Sequence, residues 1–547
     1  MKLQDKISLA LQQHPNVRYN MSRREMIQAV VDNKEAVISA NGALATWTRP
    51  ESSGRSPQDT YGVKRSESEA NIDWDSPNNI PMTPDTFDMI VDDAIQTIAA
   101  KKAIYVADRV LGADPAYAQP VHVIATAAIS VLFSDNMFRP VPPDIERSIL
   151  DKRGFTLVVV PYDKLDRNRY VGRLRKLPDG KTSDMAVAID YDRNVGVVFG
   201  SAYCGSVKKL MFTVMDYVLP AEGILPLHCS ANEGPSGDVA LLLGLSGTGK
   251  TSLSADPTRA LYGDDEHAWS DNGVANFENG CYAKLINLRP QKEPQIWNAV
   301  FHEAHYLDHG AIVENTMMYP DGLYDVDDAR LTPNSRASYP LTFLSNVKEP
   351  PMGGHPKTIL FLAADANGVL PPVAKLTPEQ AMLWFLMGYT SKLAGTETGI
   401  IDPVSTFSRF FGEPFMPRLP SVYASMLGER MRRYGSRVYL INTGWSGGPF
   451  GIGARMDIDV TRTLVRAALD GVLETVEYEE DPVFHIMVPQ SCPGVQCEIL
   501  NPRNTWADKE AFDARARKLA GDFGKHFDKT YSTKGIDPAV ASQCPGK

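Results

Sequence analysis

The residues with the clearest capacity for chemistry form a glycine-rich segment near the middle of the chain. Gly244-Leu-Ser-Gly-Thr-Gly-Lys250-Thr251 fits the spacing G-x-x-x-x-G-K-[ST] and continues an apolar run that starts at Val239. In this pattern the glycines let backbone N–H groups approach phosphate oxygens, the lysine adds positive charge, and the hydroxyl can hold a nucleotide-bound metal. The segment predicts a nucleoside-triphosphate site, although a glycine-rich turn could fit the pattern by chance. The loop alone does not identify a reaction, because GTPases, motors and small-molecule kinases share it.

Three nearby segments carry side chains that suit metal-assisted phosphoryl transfer. Lys208 and Lys209 lie side by side after an apolar run, His228 stands between apolar residues, and Asp264 and Asp265 follow the glycine-rich segment. Each has a simpler interpretation: a solvated charged turn for the lysines, a core histidine for His228, and an acidic surface turn for the aspartates. Together they supply metal ligands and cations around one phosphate loop, which is what phosphoryl transfer requires.

The elements around these segments alternate between strands and helices. Residues 1–80 are polar and turn-rich. The apolar runs predict buried strands, which cover residues 156–162, 195–203, 239–245, 358–365 and 437–445. Strands that alternate with helices are typical of an α/β lobe.

Helix signals are clearest at three places. Thr83 can cap a helix with Pro84 in its first turn and an apolar face formed by Phe87, Ile90, Val91, Ile95 and Ile98. Thr377 begins another, in which Gln380 completes a capping-box pattern. A third carries apolar residues from Val422 to Met431 and is expected to end near Gly435.

Composition excludes several classes of protein. The chain has 547 residues, 43% hydrophobic and 22% charged, which is ordinary for a globular protein of two or three lobes. A net charge of -10 argues against general nucleic-acid binding. The six cysteines are few and scattered, which favours reduced thiols over a disulfide framework. No apolar run reaches about 18 residues, and the N-terminal segment does not resemble a secretory signal, so we expect a cytoplasmic protein without a membrane partner.

These segments together resemble the ATP-type phosphoenolpyruvate carboxykinases. GLSGTGKTSLSADP, LYGDDEHAW and NFENGCYAK are similar to the nucleotide and metal segment of that family. Further similar segments follow in family order; they are Ser53-Gly-Arg55-Ser-Pro-Gln-Asp, Tyr203–Phe212, Asn334-Ser-Arg336-Ala-Ser-Tyr-Pro, Ala364–Val373, Lys392–Gly399, Ile441–Trp445 and Glu498–Trp506. A shared phosphate loop alone does not produce such an ordered set.

The resemblance implies an α/β fold with two lobes and an active site in the cleft between them. Residues 1–223 would form the N-terminal substrate-binding lobe, and residues 224–547 a C-terminal mononucleotide-binding lobe with its P-loop at 244–251 and a mobile lid around 394–407. The implied enzyme is a carboxy-lyase of gluconeogenesis that converts oxaloacetate and ATP into phosphoenolpyruvate, CO2 and ADP with Mn²⁺ and Mg²⁺. A monomer is favoured.

The resemblance also assigns roles to individual residues. The expected catalytic and substrate-binding residues are Arg55, Tyr203, Lys208, Lys209, Ser246, Lys250 and Arg336. The expected manganese ligands are Lys209, His228 and Asp265, and Thr251 is expected to serve a magnesium ion. The expected nucleotide contacts are Gly247, Thr248, Gly249, Lys250, Thr251, Ser252, Asp264, Lys284, Arg455 and Thr461. Without the resemblance, Arg455 is better interpreted as a surface arginine.

The chain departs from the family pattern at a few positions. Ser53 stands where the family usually has threonine, and Thr398, in the expected lid, stands where it usually has arginine. Two other functions remain open at this point: a P-loop kinase of another small molecule or protein, and a nucleotide-regulated binding protein. A kinase would not need the Arg55 and Arg336 pair, and a binding protein would not need hard-metal ligands beside the γ-phosphate.

Overall fold

The computed structural model describes residues 3–245, 247–254, 256–392 and 403–547. The side chains of Thr251 and Ser252 are outside this description. The chain forms two compact units. Met1–Val218 and Phe277–Val347 make up the first unit, and Leu219–Asn276 and Lys348–Lys547 make up the second.

Helices occur in both units. In chain order they are Leu3–Gln13 (α1), Arg23–Asp32 (α2), Ser66–Asn71 (α3), Pro84–Ala100 (α4), Ala128–Met137 (α5), Gly205–Val218 (α6), Lys250–Ser254 (α7), Pro294–Phe301 (α8), Tyr306–His309 (α9), Pro378–Met387 (α10), Pro420–Tyr434 (α11), Ile458–Leu469 (α12), Cys497–Leu500 (α13), Pro502–Thr505 (α14), Lys509–Tyr531 (α15) and Pro538–Ala541 (α16). None of those described is long and apolar enough to span a membrane.

The strands of the first unit and of the second are numbered together. In chain order they are Val17–Tyr19 (β1), Val37–Ile38 (β2), Leu44–Thr46 (β3), Thr60–Val63 (β4), Ile80–Met82 (β5), Ile104–Leu111 (β6), Gln119–Ala125 (β7), Phe155–Val160 (β8), Ala186–Asp190 (β9), Val195–Phe199 (β10), Leu225–Glu233 (β11), Val239–Gly244 (β12), Ala260–Gly263 (β13), Glu266–Ser270 (β14), Gly273–Asn276 (β15), Gly280–Lys284 (β16), Ile312–Glu314 (β17), Met317–Met318 (β18), Tyr324–Asp325 (β19), Arg336–Pro340 (β20), Met352–Gly353 (β21), Pro356–Ala363 (β22), Val373–Leu376 (β23), Tyr389–Lys392 (β24), Val404–Phe407 (β25), Arg437–Asn442 (β26), Trp445–Ser446 (β27), Ala454–Arg455 (β28), Tyr478–Glu480 (β29) and Met487–Pro489 (β30).

The first unit contains a mixed sheet in the order β1-β6-β7-β8-β10-β9-β4-β5. Its central strands are apolar runs because both faces are covered. On one face Phe87 and Val91 of α4 belong to the same buried cluster as Val158 and Val197. The apolar stripe predicted for this helix therefore packs on the predicted strands.

A smaller sheet of the first unit has the order β16-β20-β17-β3-β2. Its register aligns three residues at one level: Lys284 of β16 pairs with Arg336 of β20, which pairs with Glu314 of β17. Residues at paired positions of neighbouring strands point to the same face of a sheet. This sheet therefore gathers two cations and one carboxylate on one face.

The second unit is built on a long sheet in the order β21-β15-β14-β11-β12-β22-β26-β23-β30-β29, with β13 also paired to β11. Strands β12, β22 and β26 run parallel in its centre. Alternate residues of β12 enter two cores: Leu241 packs in the cluster that includes Trp384 of α10, whereas Leu242 packs in the cluster that includes Leu464 of α12. Burial on both faces explains the continuous VALLLG run.

The strands and helices predicted from sequence are confirmed, with ends that differ by a few residues. The strand expected at 156–162 stops at Val160, before Pro161, and the one expected at 195–203 stops at Phe199. Gly200 follows with φ +79°, a conformation that turns the chain out of the strand. Thr83 and Thr377 cap their helices as expected, and α11 ends at Gly435 with φ +67°.

The N-terminal region differs from its polar, turn-rich description. It contains α1 and α2, and α2 begins with a full capping box in which Ser22 and Glu25 exchange hydrogen bonds. Met26, Ile27 and Val30 of α2 are buried. The α/β fold class is confirmed as a mixed α/β structure with several sheets.

Candidate active site

Strand pairing in the second unit brings a histidine and two carboxylates together. His228 of β11 stands opposite Glu266 of the antiparallel strand β14. The Nδ1 atom of His228 lies 2.7 Å from Oε1 of Glu266 and 3.4 Å from Oδ1 of Asp265. Ligand atoms of the three residues all lie within 4.8 Å of one another. Glu266 is fully buried, and the side chain of His228 is 12% exposed.

This arrangement favours Nε2 of His228 as the nitrogen that is available to a metal. A carboxylate beside Nδ1 favours the tautomer with the proton on that atom, which leaves the lone pair on Nε2. Nε2 lies 3.1 Å from Nζ of Lys250. A divalent metal could be held by Nε2 of His228, in place of its contact with Lys250, and by a carboxylate oxygen of Asp265, with Glu266 orienting the imidazole. Glu266 was not among the residues predicted from sequence.

Close packing holds the His228 ring in place. The ring of Phe415 lies 5.8 Å from it, centre to centre. A Cβ atom added at Gly412 would lie 2.7 Å from Cβ of His228, so that a larger side chain there would displace the histidine. The core-histidine interpretation of His228 is therefore incomplete, because the ring is packed on one side and faces Lys250 on the other.

Asp264 and His267, which flank Asp265 and Glu266 in the chain, make hydrogen bonds within the fold. The backbone carbonyl of Asp264 accepts a hydrogen bond of 2.8 Å from Oγ of Ser230. His267 is fully buried, its Nδ1 lies 2.8 Å from the carbonyl oxygen of Cys229, and burial lowers its pKa to about 4. A neutral imidazole fixed to the backbone in this way is part of the core.

The glycine-rich segment joins β12 to α7, which begins at Lys250. Gly247 and Gly249 have φ values of +87° and +99°, which only glycine adopts easily. Oγ1 of Thr248 donates a 2.7 Å hydrogen bond to the carbonyl of Leu245. Ser246 and the side chains of Thr251 and Ser252 lie outside the described residues. The same is true of Thr398 and most of the expected lid.

Arg455 is exposed, as the sequence alone favoured, yet it is bonded to the glycine-rich segment. Its Nη2 donates to the carbonyl of Gly247 at 3.1 Å, and its Nε donates to the carbonyl of Thr443 at 3.2 Å. The hydroxyl of Thr443 in turn donates to the carbonyl of Thr248 at 3.0 Å. Thr461 is buried on α12, and its hydroxyl donates to the carbonyl of Asp457, one turn earlier.

The predicted substrate residues of the first unit meet around Asn334. Its amide oxygen accepts hydrogen bonds from Nε and Nη2 of Arg336 at 3.1 and 3.0 Å. Its amide nitrogen lies 3.1 Å from the carbonyl of Ser53, two residues before Arg55, and 3.4 Å from the hydroxyl of Tyr203. One amide thus connects three segments that the sequence assigned to substrate binding.

Lys284, Arg336 and Glu314 lie together on one face of the smaller sheet, which the sequence did not predict. Burial, and then the charge of Arg336, lower the pKa of Lys284. Across the sheet Glu314 is buried, which raises the pKa of its carboxyl group. Glu314 accepts hydrogen bonds from the hydroxyl of Tyr282 and, at 3.1 Å, from the backbone N–H of Cys204. Glu314 therefore connects this sheet to the start of α6.

The two adjacent lysines lie on α6 rather than on a solvated turn. Successive helical residues point about 100° apart, and the two side chains have different surroundings. Lys208 is 2% exposed, and its Nζ lies 2.5 Å from Oε1 of the buried Glu278. Lys209 is half-buried, with its Nζ 5.0 Å from the ring centre of Phe212. Lys208 is thus held in a buried ion pair.

Comparison with known proteins identifies the family. Residues 15–498 match the profile of the family described as phosphoenolpyruvate carboxykinase. "Phosphoenolpyruvate carboxykinase (ATP) 1" from Moorella thermoacetica is 47% identical over 511 residues, which is 93% of each chain. Proteins named "Phosphoenolpyruvate carboxykinase (ATP)" from Geobacillus thermodenitrificans and Thermus thermophilus are 44% and 45% identical, each over 98% of both chains. Since these matches cover nearly the whole sequence, the chain belongs to the phosphoenolpyruvate carboxykinase family.

Proposed function

We propose that this chain catalyses the ATP-dependent conversion of oxaloacetate into phosphoenolpyruvate, CO2 and ADP. The observation that carries the proposal is the contact of Nε2 of His228 with Nζ of Lys250, at 3.1 Å, beside the carboxylates of Asp265 and Glu266. It joins a metal donor set to the lysine of a phosphate-binding pattern. The names of the relatives support the same reaction.

The reaction has two chemical requirements. Loss of CO2 from oxaloacetate, a β-keto acid, leaves the enolate of pyruvate, whose oxygen then takes the γ-phosphoryl group of ATP. Charge that develops on oxygen must be stabilised, and two substrate carboxylates need cationic partners. A bound divalent metal would supply Lewis acidity toward that oxygen and the phosphate.

We assign the metal to His228 and Asp265, with Lys209 as a further nitrogen ligand. Mixed nitrogen and oxygen donors suit Mn²⁺ better than Mg²⁺, which prefers oxygen and water. An ammonium group has no lone pair, so Lys209 must lose its proton to bind. We assign Mg²⁺ to the hydroxyl of Thr251 and to the nucleotide.

The nucleotide is assigned to the glycine-rich segment of the second unit. Lys250 would meet the outer phosphates as a point charge, and the backbone of Gly247, Thr248 and Gly249 would donate hydrogen bonds from its N–H groups to phosphate oxygens. Arg455 would keep this segment in place through the carbonyl of Gly247. The P-loop lobe, the lid and the cleft expected from sequence belong to this proposal.

The substrate carboxylates are assigned to Arg55 and Arg336, with the hydroxyl of Tyr203 beside them. A guanidinium group can form two parallel hydrogen bonds to one carboxylate. Nε and Nη2 of Arg336 already bond Asn334, so that the direction of its guanidinium plane is determined before substrate arrives. A kinase of another substrate and a nucleotide-regulated binding protein are not favoured, because relatives matched over nearly their full length carry the carboxykinase name.

A coupled assay tests the proposal. Purified protein is incubated with oxaloacetate, ATP, Mg²⁺ and Mn²⁺, and phosphoenolpyruvate is measured, with Lys250→Ala as the matched inactive variant. We expect product that depends on both substrates, and poor replacement of ATP by GTP. Absence of product from folded protein with both metals would reject the function, and equal rates with GTP would reject the choice of nucleotide.

A further inference from the structure

A buried carboxylate lies just after Arg55 in the chain. Asp59 closes the short 3-10 turn Pro57–Asp59 and is 1% exposed. Its Oδ2 accepts hydrogen bonds from the hydroxyl of Ser56 and from Nη1 of Arg175, the latter at 3.0 Å. Arg175 belongs to the long connection between β8 and β9. An arginine far away in sequence thus reaches the turn that follows Arg55.

The backbone of Arg175 also makes hydrogen bonds in this region. Its N–H donates to the hydroxyl of Tyr61 at 3.0 Å, and its carbonyl accepts from the N–H of Ser183 at 2.8 Å. The hydroxyl of Thr60 donates to the carbonyl of Ser56 at 2.9 Å. Arg175 is therefore fixed at its backbone before its guanidinium reaches Asp59.

Arg175 is the ion-pair partner of the buried Asp59. In the part of the chain that the structure describes, Arg175 is the cation within salt-bridge distance of Asp59, and the Oδ1 atom of Asp59 has no hydrogen-bond partner. Removing one member of a buried ion pair leaves an uncompensated charge, which is much more costly than removing both. Without Arg175, we expect the turn to move so that Asp59 comes closer to water.

Such a movement would displace Arg55. Arg55 is exposed and stands between two attachments: the carbonyl of Ser53, held by Asn334, and the carboxylate of Asp59. An arginine that binds a carboxylate through two hydrogen bonds requires a fixed base, since a shift of about 1 Å can cost roughly 100-fold in rate.

We propose that the Asp59–Arg175 ion pair is a positioning device that holds Arg55 for the substrate carboxylate. The proposal rests on the proposed function, in which Arg55 binds oxaloacetate. Arg175 and Asp59 are positioning residues, because they act on the substrate only through Arg55.

The test compares Arg175→Met with Arg173→Met, a matched change two residues away. Arg173 contacts Thr86 and Asp85 rather than the turn after Arg55. We expect Arg175→Met to lower kcat/KM for oxaloacetate by about 10-fold to 100-fold, mainly through KM, and to leave KM for ATP within about twofold. Arg173→Met should keep normal values of both parameters. Arg175→Lys should retain part of the kcat/KM for oxaloacetate.

A second comparison separates positioning from general destabilisation. In an Arg55→Gln background, Arg175→Met should cause little further loss, because the residue it positions is gone. The pair Asp59→Asn with Arg175→Gln, which removes both buried charges, should fold and recover part of the affinity even if Arg175→Met alone folds poorly.

Different failures point to different conclusions. If Arg55→Gln alone leaves kcat/KM for oxaloacetate unchanged, the substrate role of Arg55 in the proposed function is wrong. If Arg55→Gln is defective but Arg175→Met behaves like the unmodified chain, or reduces kcat/KM equally in both backgrounds, only the positioning role is wrong. Equal increases in KM for ATP and for oxaloacetate would also reject the positioning role.

Discussion

The amide oxygen of Asn334 accepts hydrogen bonds from two nitrogens of Arg336, at 3.1 and 3.0 Å. These two residues are separated by only one position, and the amide nitrogen of Asn334 also reaches the carbonyl of Ser53. The neutral amide can donate and accept at once, which neither a carboxylate nor an alkyl side chain can do. Asn334 therefore connects the two arginine segments without neutralising either arginine.

Replacement of Asn334 should affect oxaloacetate selectively. We expect Asn334→Ala to lower kcat/KM for oxaloacetate by about 10-fold to 100-fold, since a lost hydrogen bond to a charged group costs roughly 1.5–3 kcal/mol. Asn334→Asp should be worse, because a carboxylate would neutralise Arg336 and repel the carbonyl of Ser53. Steady-state kinetics with each substrate in turn would check this, and a larger effect on KM for ATP would contradict it.

Lys250→Ala should abolish phosphoryl transfer while the fold remains. Its charge matters most in the transition state, so kcat should fall by roughly 100-fold or more. Near-normal kcat in this variant would show that the glycine-rich segment is not the catalytic phosphate site. Circular dichroism and the thermal midpoint serve as controls for the fold.

Glu266→Gln should weaken metal binding without removing a metal ligand. The carboxylate beside Nδ1 of His228 raises the basicity of the ring, and loss of such a partner typically costs 10-fold to 100-fold in metal affinity. Titration of Mn²⁺ into the protein without substrates, followed by electron paramagnetic resonance, measures this directly. Glu379→Gln, at a surface ion pair with Arg432, is the matched control. Equal Mn²⁺ affinity in the Glu266→Gln variant and the unmodified chain would show that Glu266 does not orient His228 for metal binding.

Lys209→Arg distinguishes a metal ligand from a simple charge. The guanidinium retains the positive charge but does not lose its proton in proteins, so it cannot offer a lone pair. If Lys209 binds the metal, the Lys209→Arg variant should lose tight Mn²⁺ binding in the same titration. Unchanged affinity would mean that Lys209 acts only through its charge.

Local sequence patterns predicted the parts of the site that lie close together in the chain. The glycine-rich segment, the capped helices α4 and α10, and the apolar run of β12 all follow from spacing within a few residues. Asp265 and His228 were identified as candidates, and strand pairing does bring them together.

Residues that depend on pairing between distant segments were not found in this way. Glu266 faces His228 only because β11 and β14 adopt one particular register. Glu278 and Glu314 have no distinctive local spacing. Glu278 contacts Lys208 of α6 and Glu314 contacts Cys204 just before α6, both across long sequence separations. Lys208 looked like part of a solvated turn because its buried partner is seventy residues later in the chain.

The helices near the N-terminus were missed for a different reason. Helix α2 is only ten residues long and opens with the charged run Arg23-Arg-Glu25. Its capping box, formed by Ser22 and Glu25, was the available signal. The polar composition of the surrounding loops obscured it.

The first unit should lose stability in mild acid because of His309. This residue is fully buried, Nδ1 accepts a hydrogen bond from the N–H of Ala311, and Nε2 lies 3.1 Å from the carbonyl of His302. Burial lowers its pKa to about 4, and the neighbouring His302 and Arg23 act in the same direction. The folded chain therefore holds His309 neutral where an unfolded chain, with a histidine pKa near 6.5, binds a proton.

Because the unfolded state binds more protons between pH 6.5 and 4, the free energy of unfolding must fall as the pH is lowered through that range. His309 should account for roughly 1–2 kcal/mol of the decrease in the free energy of unfolding between pH 6.5 and 5. This interval lies above the range in which most carboxylates titrate. Urea unfolding of His309→Gln should show a smaller decrease over this interval, although the variant starts from a lower stability at about pH 7.5. His305→Gln, at an exposed position in the same segment, should keep the original slope. Parallel pH profiles for the two variants would show that His309 is not the group responsible.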